Sequence, residues 1–261
     1  MRPTRLALAL ALAMFTLPMS ALAQESGATA DPAQEAPADE APAADAEEEA
    51  TSNWTWNLAV TTDYVFRGVT QTDYQPALQA GMDYSFGDSG WYVGAWGSNV
   101  DFADPDGPDI EFDTYIGWNH DLSDTMNLDL SVLHYAYMGE RNDYGSIDYT
   151  EVLGALTWNE MLTLSVGYAP DYANLDYTST WVNLGGSWDV GNDFSINASI
   201  GHSNFSDDNG SYNDWNIGIS RQFGPVNAAI NYYDTDIDFE DGDEHHRASD
   251  QVVFTLAFGN G

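Results

Sequence analysis

Positive charge is scarce in this chain, so the position of each arginine is informative. The sequence has 42 acidic residues against 6 basic ones, a formal net charge of −36, and it contains no lysine. Arg67 lies in the stretch TTDYVFRGVTQTDYQPALQAG, directly after an aromatic run and before Gly68. Because the planar guanidinium group pairs well with carboxylates, Arg67 is predicted either to clamp neighbouring acids or to form the positive side of a charged constriction.

Two acidic segments contain residue types that bind cations. Asp104, Asp106 and Asp109 surround a glycine turn, and hard divalent cations prefer such oxygen ligands. Their spacing is not that of an EF-hand and two prolines stiffen the segment, which favours a solvated acidic turn. His245 and His246 accompany carboxylates and are weak candidates for zinc ligands. A flexible acidic loop is the preferred interpretation, with divalent cations bridging these loops to anionic lipid head groups as an expected interaction.

The sequence offers little for enzymatic catalysis. It contains no cysteine, and His202 beside Ser203 is the one histidine–serine neighbour pair with which a lipid hydrolase could be imagined. Nothing in the spacing raises this pair above chance. The chain is therefore predicted not to be an enzyme and to need no cofactor.

The first 52 residues are predicted to lie outside the fold. Residues 1–23 have a basic start, an apolar stretch of signal-peptide length and an Ala-Leu-Ala cleavage signature, so the protein is predicted to be exported. Residues 24–52 are rich in Ala, Pro, Glu and Asp and have almost nothing apolar to bury, which predicts a disordered spacer. Residues 53–261 form one predicted domain, whose acidity excludes nucleic acid as a partner.

Apolar and polar residues alternate with a period of two through this domain, which indicates strands with one apolar face. Residues 54–61 (WTWNLAVT) and 194–201 (FSINASIG) are clear examples. Connections after odd-numbered segments are long and those after even-numbered segments are short, as in outer-membrane barrels. The pattern predicts an all-β, up-and-down antiparallel barrel of twelve strands, over residues 54–66, 76–86, 90–102, 109–120, 126–138, 147–158, 161–169, 179–188, 193–203, 212–222, 225–233 and 250–258.

The period alone does not decide which face of the barrel is wet, since a soluble barrel of lipocalin type would carry the same alternation. The polar faces contain Asn, Ser, Thr and Gly with few long charged side chains, and lysine is absent. Aromatic residues gather near the predicted strand ends, where membrane barrels place their girdles. A lipid-facing apolar surface is therefore favoured, with the short turns and the acidic spacer in the periplasm.

Two strings in the first half of the domain resemble the TorF family of porins. These are TDYVFRGVTQT at 62–72 and YVGAWGSNVDF at 92–102, with EFDTYIG at 111–117 as a third similar element. The likeness covers 54–120 closely, and the chain departs from it where Thr62 and Thr70 replace serine and where the last aromatic is followed by Gly-Asn-Gly. The resemblance implies a bacterial outer-membrane location and a porin architecture.

Strand phase then predicts the charges that line the lumen. If Tyr64 and Phe66 face lipid, Asp63 and Arg67 face the interior near the external rim. Most of the other charges expected inside are acidic. The predicted lumen charges are Arg67, Asp63, Asp83, Glu111, Asp113 and Asp129.

The expected function is passive passage of small solutes or ions, with a preference for cations, by a protein whose partners are outer-membrane lipid and the solutes themselves. The alternative is a plugged barrel whose acidic external loops have a structural or contact role, and the lipid hydrolase is the least favoured reading.

Overall fold

The computed structural model describes residues 53–142, 144–207, 209–237 and 247–260. The predicted signal segment and spacer, and His245 and His246, lie outside these residues. The described chain forms fourteen β-strands, twelve long and two very short. Their bounds are β1 Trp54–Thr61, β2 Val65–Phe66, β3 Val69–Thr70, β4 Ala77–Ser85, β5 Trp91–Asn99, β6 Ile110–Ser123, β7 Met126–Met138, β8 Tyr149–Trp158, β9 Leu162–Ala169, β10 Ser179–Gly191, β11 Phe194–Phe205, β12 Ser211–Phe223, β13 Val226–Thr235 and β14 Gln251–Gly259.

The twelve long strands close into one antiparallel barrel. Each pairs with its neighbours in the chain, with β2 and β3 left out, and β1 closes the ring by pairing with β14. Long and short connections alternate as the sequence predicts, so both ends of the barrel domain lie at the short-turn rim. The predicted fold class and strand number are confirmed.

The outer surface of the barrel is apolar. The alternate residues Trp54, Trp56, Leu58 and Val60 of β1 are all exposed, and the other strands repeat this pattern. Aromatic side chains are concentrated at the short-turn rim. Exposed examples there are Trp54, Trp56, Phe86, Trp91, Trp158, Trp188, Phe223 and Phe258.

This surface has the composition of a lipid-facing wall with an interfacial aromatic girdle. Among the described residues, no helix has the length and hydrophobicity needed to cross a membrane.

The first strand is shorter than the sequence predicts, and this difference changes the interior. β1 ends at Thr61, which pairs with Ala77 of β4. Residues 62–76 leave the wall and fold into the barrel as an insert, called the plug below, that contains β2 and β3. Tyr64 and Phe66, predicted to face lipid, are buried inside the lumen instead. The alternating pattern continued past Thr61 because β2 is itself a short strand.

Candidate functional site

A tight hairpin forms the tip of the plug. Val65 pairs with Thr70 and Phe66 with Val69, which leaves Arg67 and Gly68 as a two-residue loop. Both loop residues have positive φ, 43° and 82°, as type I′ hairpin turns require. A Cβ atom on Gly68 would clash with the methyl group of Thr235. The sequence Phe-Arg-Gly-Val is therefore a turn signal as much as a continuation of a strand.

Hydrogen bonds hold the two arms of the plug together at its base. Asp63 Oδ1 accepts hydrogen bonds from the hydroxyl groups of Thr70, at 2.6 Å, and Thr72, at 2.7 Å. The Thr72 hydroxyl also accepts a hydrogen bond from the backbone N–H of Tyr64 at 3.1 Å. Arg247, from the last long loop, donates to the carbonyl oxygen of Thr70 at 3.3 Å. The plug is thus an ordered element with internal contacts and a tie to a neighbouring loop.

Arg67 reaches across the lumen to Glu151 on β8, which lies five strands from β1 and four from β4 around the ring. Its Nη2 donates to both carboxylate oxygens of Glu151 at 2.9 Å, and both side chains are almost fully buried. The guanidinium carbon lies 4.6 Å from the ring centroid of Phe66 and 4.3 Å from that of Trp181. Tyr135 donates a hydrogen bond to the same carboxylate at 3.0 Å. Arg67 therefore fastens the tip of the plug to the far wall.

The carboxylate that pairs with Arg67 is not among the predicted lumen charges. Glu111 and Asp113 face the lumen and are buried, but the structure places Glu151 at the guanidinium group. Tyr64 donates to Glu111 Oε1 at 3.0 Å, and Glu111 Oε2 and Asp113 Oδ1 have no hydrogen-bond partner among the described residues. Sequence reasoning missed Glu151, although its alternation with the lipid-facing Thr150 and Val152 could have placed it inside.

The wall that faces the plug contains buried polar atoms without partners. In the described part of the chain, hydroxyl groups, an indole nitrogen and a carboxylate oxygen on β8 to β12 and the loop before β10 make no hydrogen bond. Buried polar atoms are almost always paired with protein groups or with ordered water, so these atoms are positioned to bond to water inside the lumen. The atoms are Tyr149 Oη, Tyr172 Oη, Ser179 Oγ, Trp181 Nε1 and Asp214 Oδ2.

The half of the lumen near the short turns is polar and accessible. Asp83 accepts a hydrogen bond from Tyr115 at 2.5 Å, and Asp129 accepts two from Tyr92 at 2.8 and 3.0 Å. Asn119 also donates to Asp129 at 3.2 Å. None of these five side chains is fully buried. They outline an acidic vestibule that ends at the plug.

The acidic turn at 104–109 is held by its own chain. Arg141 pairs with Asp109 at 2.5 Å, and Asn142 donates to Asp106 at 2.5 Å. Asp104 Oδ1 accepts the backbone N–H of Asp106 at 3.0 Å. Within the described residues no group of three or more His, Asp or Glu has the arrangement of a metal site. Asp104, Asp106 and Asp109 are therefore each engaged by groups of the chain itself.

His202 and Ser203 point to opposite sides of the wall. His202 is exposed on the outer surface and contacts Asn213 at 2.9 Å, whereas Ser203 is fully buried in the lumen. Neighbouring residues of a strand face opposite ways, so these two side chains do not form a nucleophile–base pair.

Comparison with known proteins places the chain in a family. Residues 45–258 match the family described as "Bacterial protein of unknown function (Gcw_chp)". The chain belongs to this family. No curated protein matches it. The family model and the structural matches do not distinguish TorF porins from other porin-like barrels.

Solved structures of outer-membrane porins resemble the fold. The NanC porin is 9% identical, with 77% of this chain and 97% of that chain covered and a TM-score of 0.50. The KdgM porin in complex with disordered oligogalacturonate is 6% identical, with 79% and 98% covered and a TM-score of 0.47. OprD from Pseudomonas aeruginosa is 12% identical, with 79% and 64% covered and a TM-score of 0.37. At this identity the likeness to NanC shows a shared fold.

Gly68 provides a local test of the plug. Gly68→Ala is expected to lower the free energy of unfolding by about 2–4 kcal/mol, because the new methyl group meets Thr235 and lies 3.1 Å from Asp214 Cβ while φ stays positive. Gly210→Ala is the matched control: its φ is 87° and no atom lies within 4 Å of the added Cβ, so about 1 kcal/mol is expected. Denaturant titration of both variants measures the difference, and equal losses would show that the tip is loosely packed.

Proposed function

We propose that the protein is an outer-membrane channel for small solutes and ions whose external half is closed by the plug. The observation that carries the proposal is the division of the lumen into two unlike halves. An accessible, acidic vestibule occupies the short-turn half, and an ordered insert with a polar, incompletely paired surround occupies the other. Partly buried carboxylates behind the insert, at Asp83 and Asp129, suit a path for solutes better than a purely structural barrel.

The location follows from the outer surface. An exposed apolar wall with an aromatic girdle at the short-turn rim suits a bacterial outer membrane, with the short turns in the periplasm and lipid as a partner. The resemblance of residues 62–72 and 92–102 to TorF porins agrees with this location and supports the channel reading. We propose on the same grounds that the chain is exported by residues 1–23 and is not an enzyme.

Cation preference is the expected selectivity. The vestibule residues Asp83 and Asp129 are acidic, and the arginine nearest to them along the lumen, Arg67, is neutralised by Glu151. Negative side chains in a low-dielectric conduit concentrate cations and repel anions. The acidic external loops would add to this negative potential. They would also attract divalent cations to the mouth of the barrel, at loop carboxylates that are not already bonded to other groups of the protein.

A plugged barrel with a structural or contact role is the second candidate. The observation in its favour is the complete burial of Phe66, Thr70, Gln71 and Thr72 inside the lumen. With these side chains inaccessible to water, the path is closed in the conformation described. The two candidates differ in whether the plug ever leaves its position, which electrical recording detects directly.

The test is planar-bilayer recording of the refolded protein under a potassium chloride gradient. We expect intermittent openings whose reversal potential indicates cation preference at ~0.1 M salt, where the Debye length is ~10 Å, and a weaker preference at 1 M, where it is ~3 Å. The double variant Asp83→Asn with Asp129→Asn should reduce the permeability ratio of cations to anions roughly two- to fivefold at low salt.

The control neutralises Asp88 and Asp124, which lie in short turns at the same rim, outside the barrel strands. Because exposed charges are well screened, replacing Asp88 and Asp124 should change the permeability ratio of cations to anions little. Anion selectivity in the wild type would reject the electrostatic proposal. Correctly folded protein that never conducts would favour the plugged structural barrel.

A further inference from the structure

Arg221 lies on the outer surface of the barrel, near the short-turn rim. In β12 it shares the phase of Ile217, Ile219 and Phe223, all of which are exposed on the apolar wall. Its cross-strand partner on β11 is Phe194. Most charged residues of membrane barrels avoid the lipid-facing phase because a charge there is costly away from the interface. Close to the rim this cost is small, so an outward-facing arginine is tolerated here and can reach anionic groups at the interface.

The protein supplies aromatic rings to Arg221 but no anion. The guanidinium carbon lies 4.8 Å from the ring centroids of both Phe194 and Phe223, so the group is held between two rings. Among the described residues Arg221 makes neither an ion pair nor a hydrogen bond, and its Nε is buried without a partner. In a chain with 42 acidic residues, this guanidinium group has no carboxylate partner among the described residues, and its two Nη groups, unlike Nε, are free to donate to a ligand.

The position of Arg221 between the two phenylalanine rings indicates which ligand it binds. Phe223 is the last residue of β12, so Arg221 lies at the level of the aromatic girdle, where lipid head groups meet the wall. The guanidinium fork matches phosphate oxygens in geometry and charge. Stacked rings restrict the side chain and lower the entropy lost on binding. A free phosphate ion could bind to the same donors, but it has no acyl chains that could pack on the neighbouring isoleucines.

We propose that Arg221, Phe194 and Phe223 form a binding site for the phosphate group of a phospholipid at the short-turn rim. The guanidinium group donates hydrogen bonds to the phosphate oxygens, and the acyl chains lie on the apolar wall above Ile219 and Ile217. The proposal rests on the membrane position argued above but not on conduction, so the site stands or falls independently of whether the barrel passes solutes.

Native mass spectrometry of the full chain in detergent, titrated with phosphatidylglycerol, tests the site. We expect Arg221→Gln to weaken the first bound lipid about tenfold or more, as the loss of a charge-assisted hydrogen-bonded contact implies. Arg221→Lys should lose roughly threefold, because an ammonium group keeps the charge but not the fork. Arg141→Gln, at an exposed arginine paired with Asp109 in the external loops, is the control and should bind as the wild type does.

Excess inorganic phosphate distinguishes binding of a lipid head group from binding of a free phosphate ion, since both present the same oxygens to Arg221. It should leave the lipid bound, since a free ion lacks the acyl-chain contacts. Wild-type lipid affinity in Arg221→Gln, or full displacement by inorganic phosphate, would overturn the proposal. A folded barrel migrates differently on a gel when the sample is not heated, and loss of this difference would show that Arg221→Gln does not fold. Arg221→Lys then decides: an unchanged affinity for lipid and an unchanged number of bound lipids would reject the proposed phosphate site.

Discussion

Arg67→Ala is expected to lower the free energy of unfolding by about 3–5 kcal/mol, because it leaves the carboxylate of Glu151 buried and uncompensated. The lost contacts include both hydrogen bonds at 2.9 Å and the stacking on Phe66 and Trp181. The tip of the plug would then be unfastened, with the base, Arg247 and the Tyr64–Glu111 hydrogen bond still in place, so open events in bilayer recordings should become more frequent. Denaturant titration and the open fraction at fixed voltage measure the two effects.

The chain contains a matched control for this prediction. Arg141 and Asp109 also form an ion pair, but both side chains are about half exposed, at 52% and 55%. Exposed ion pairs contribute about 0–1 kcal/mol, so Arg141→Ala should be nearly silent. Adding Glu151→Gln to Arg67→Ala should recover part of the stability, since no buried charge then remains unpaired. Equal losses in Arg67→Ala and Arg141→Ala would contradict the assignment of Arg67 as the fastening of the plug.

The architecture of the barrel could be predicted from the sequence because the apolar outer wall imposes one rule on every strand. Each side chain of a strand faces either the outer surface or the lumen, so the period of two persists from β4 to β14, and the two kinds of connection are visible as long and short gaps. From β4 onward, strand ends within about three residues follow from the same pattern. The choice between an apolar outer wall and an apolar interior also needed the composition of the polar faces and the positions of the aromatic residues.

The interior could not be predicted in the same way, because residues inside a barrel obey no single period. Residues 62–66 alternate like a strand, yet they lie in the lumen, where Phe66 packs as a core residue would. The pairing of Arg67 with Glu151 joins positions 84 residues apart, and no local pattern encodes that contact. The one local signal was Gly68, whose residue type suits the positive φ of a two-residue hairpin turn; Arg67 at the first turn position is not among the residues that such turns prefer.

Removal of the plug should convert an occluded barrel into a continuously conducting one. β1 and β4 are direct neighbours, and their last paired residues at this rim are Thr61 and Ala77. Residues 62–76 can therefore be replaced by an Asn-Gly turn that joins the two strands without a change of register. We expect conductance at least tenfold above the time-averaged wild-type value, with sustained rather than intermittent current, because the fully buried cross-section of the lumen is emptied.

Shortening a different loop tests whether any loop change destabilises the barrel enough to alter its conductance. Shortening residues 140–146, most of whose described side chains are exposed, removes external chain without touching the plug and should leave the conductance as it is. Loss of the plug also removes packing around Tyr64 and Phe66, so the deleted protein should unfold at lower denaturant while it keeps its barrel. If the deleted barrel is folded and remains closed, the wall residues of the outer half themselves seal the lumen. The channel proposal would then give way to the structural one.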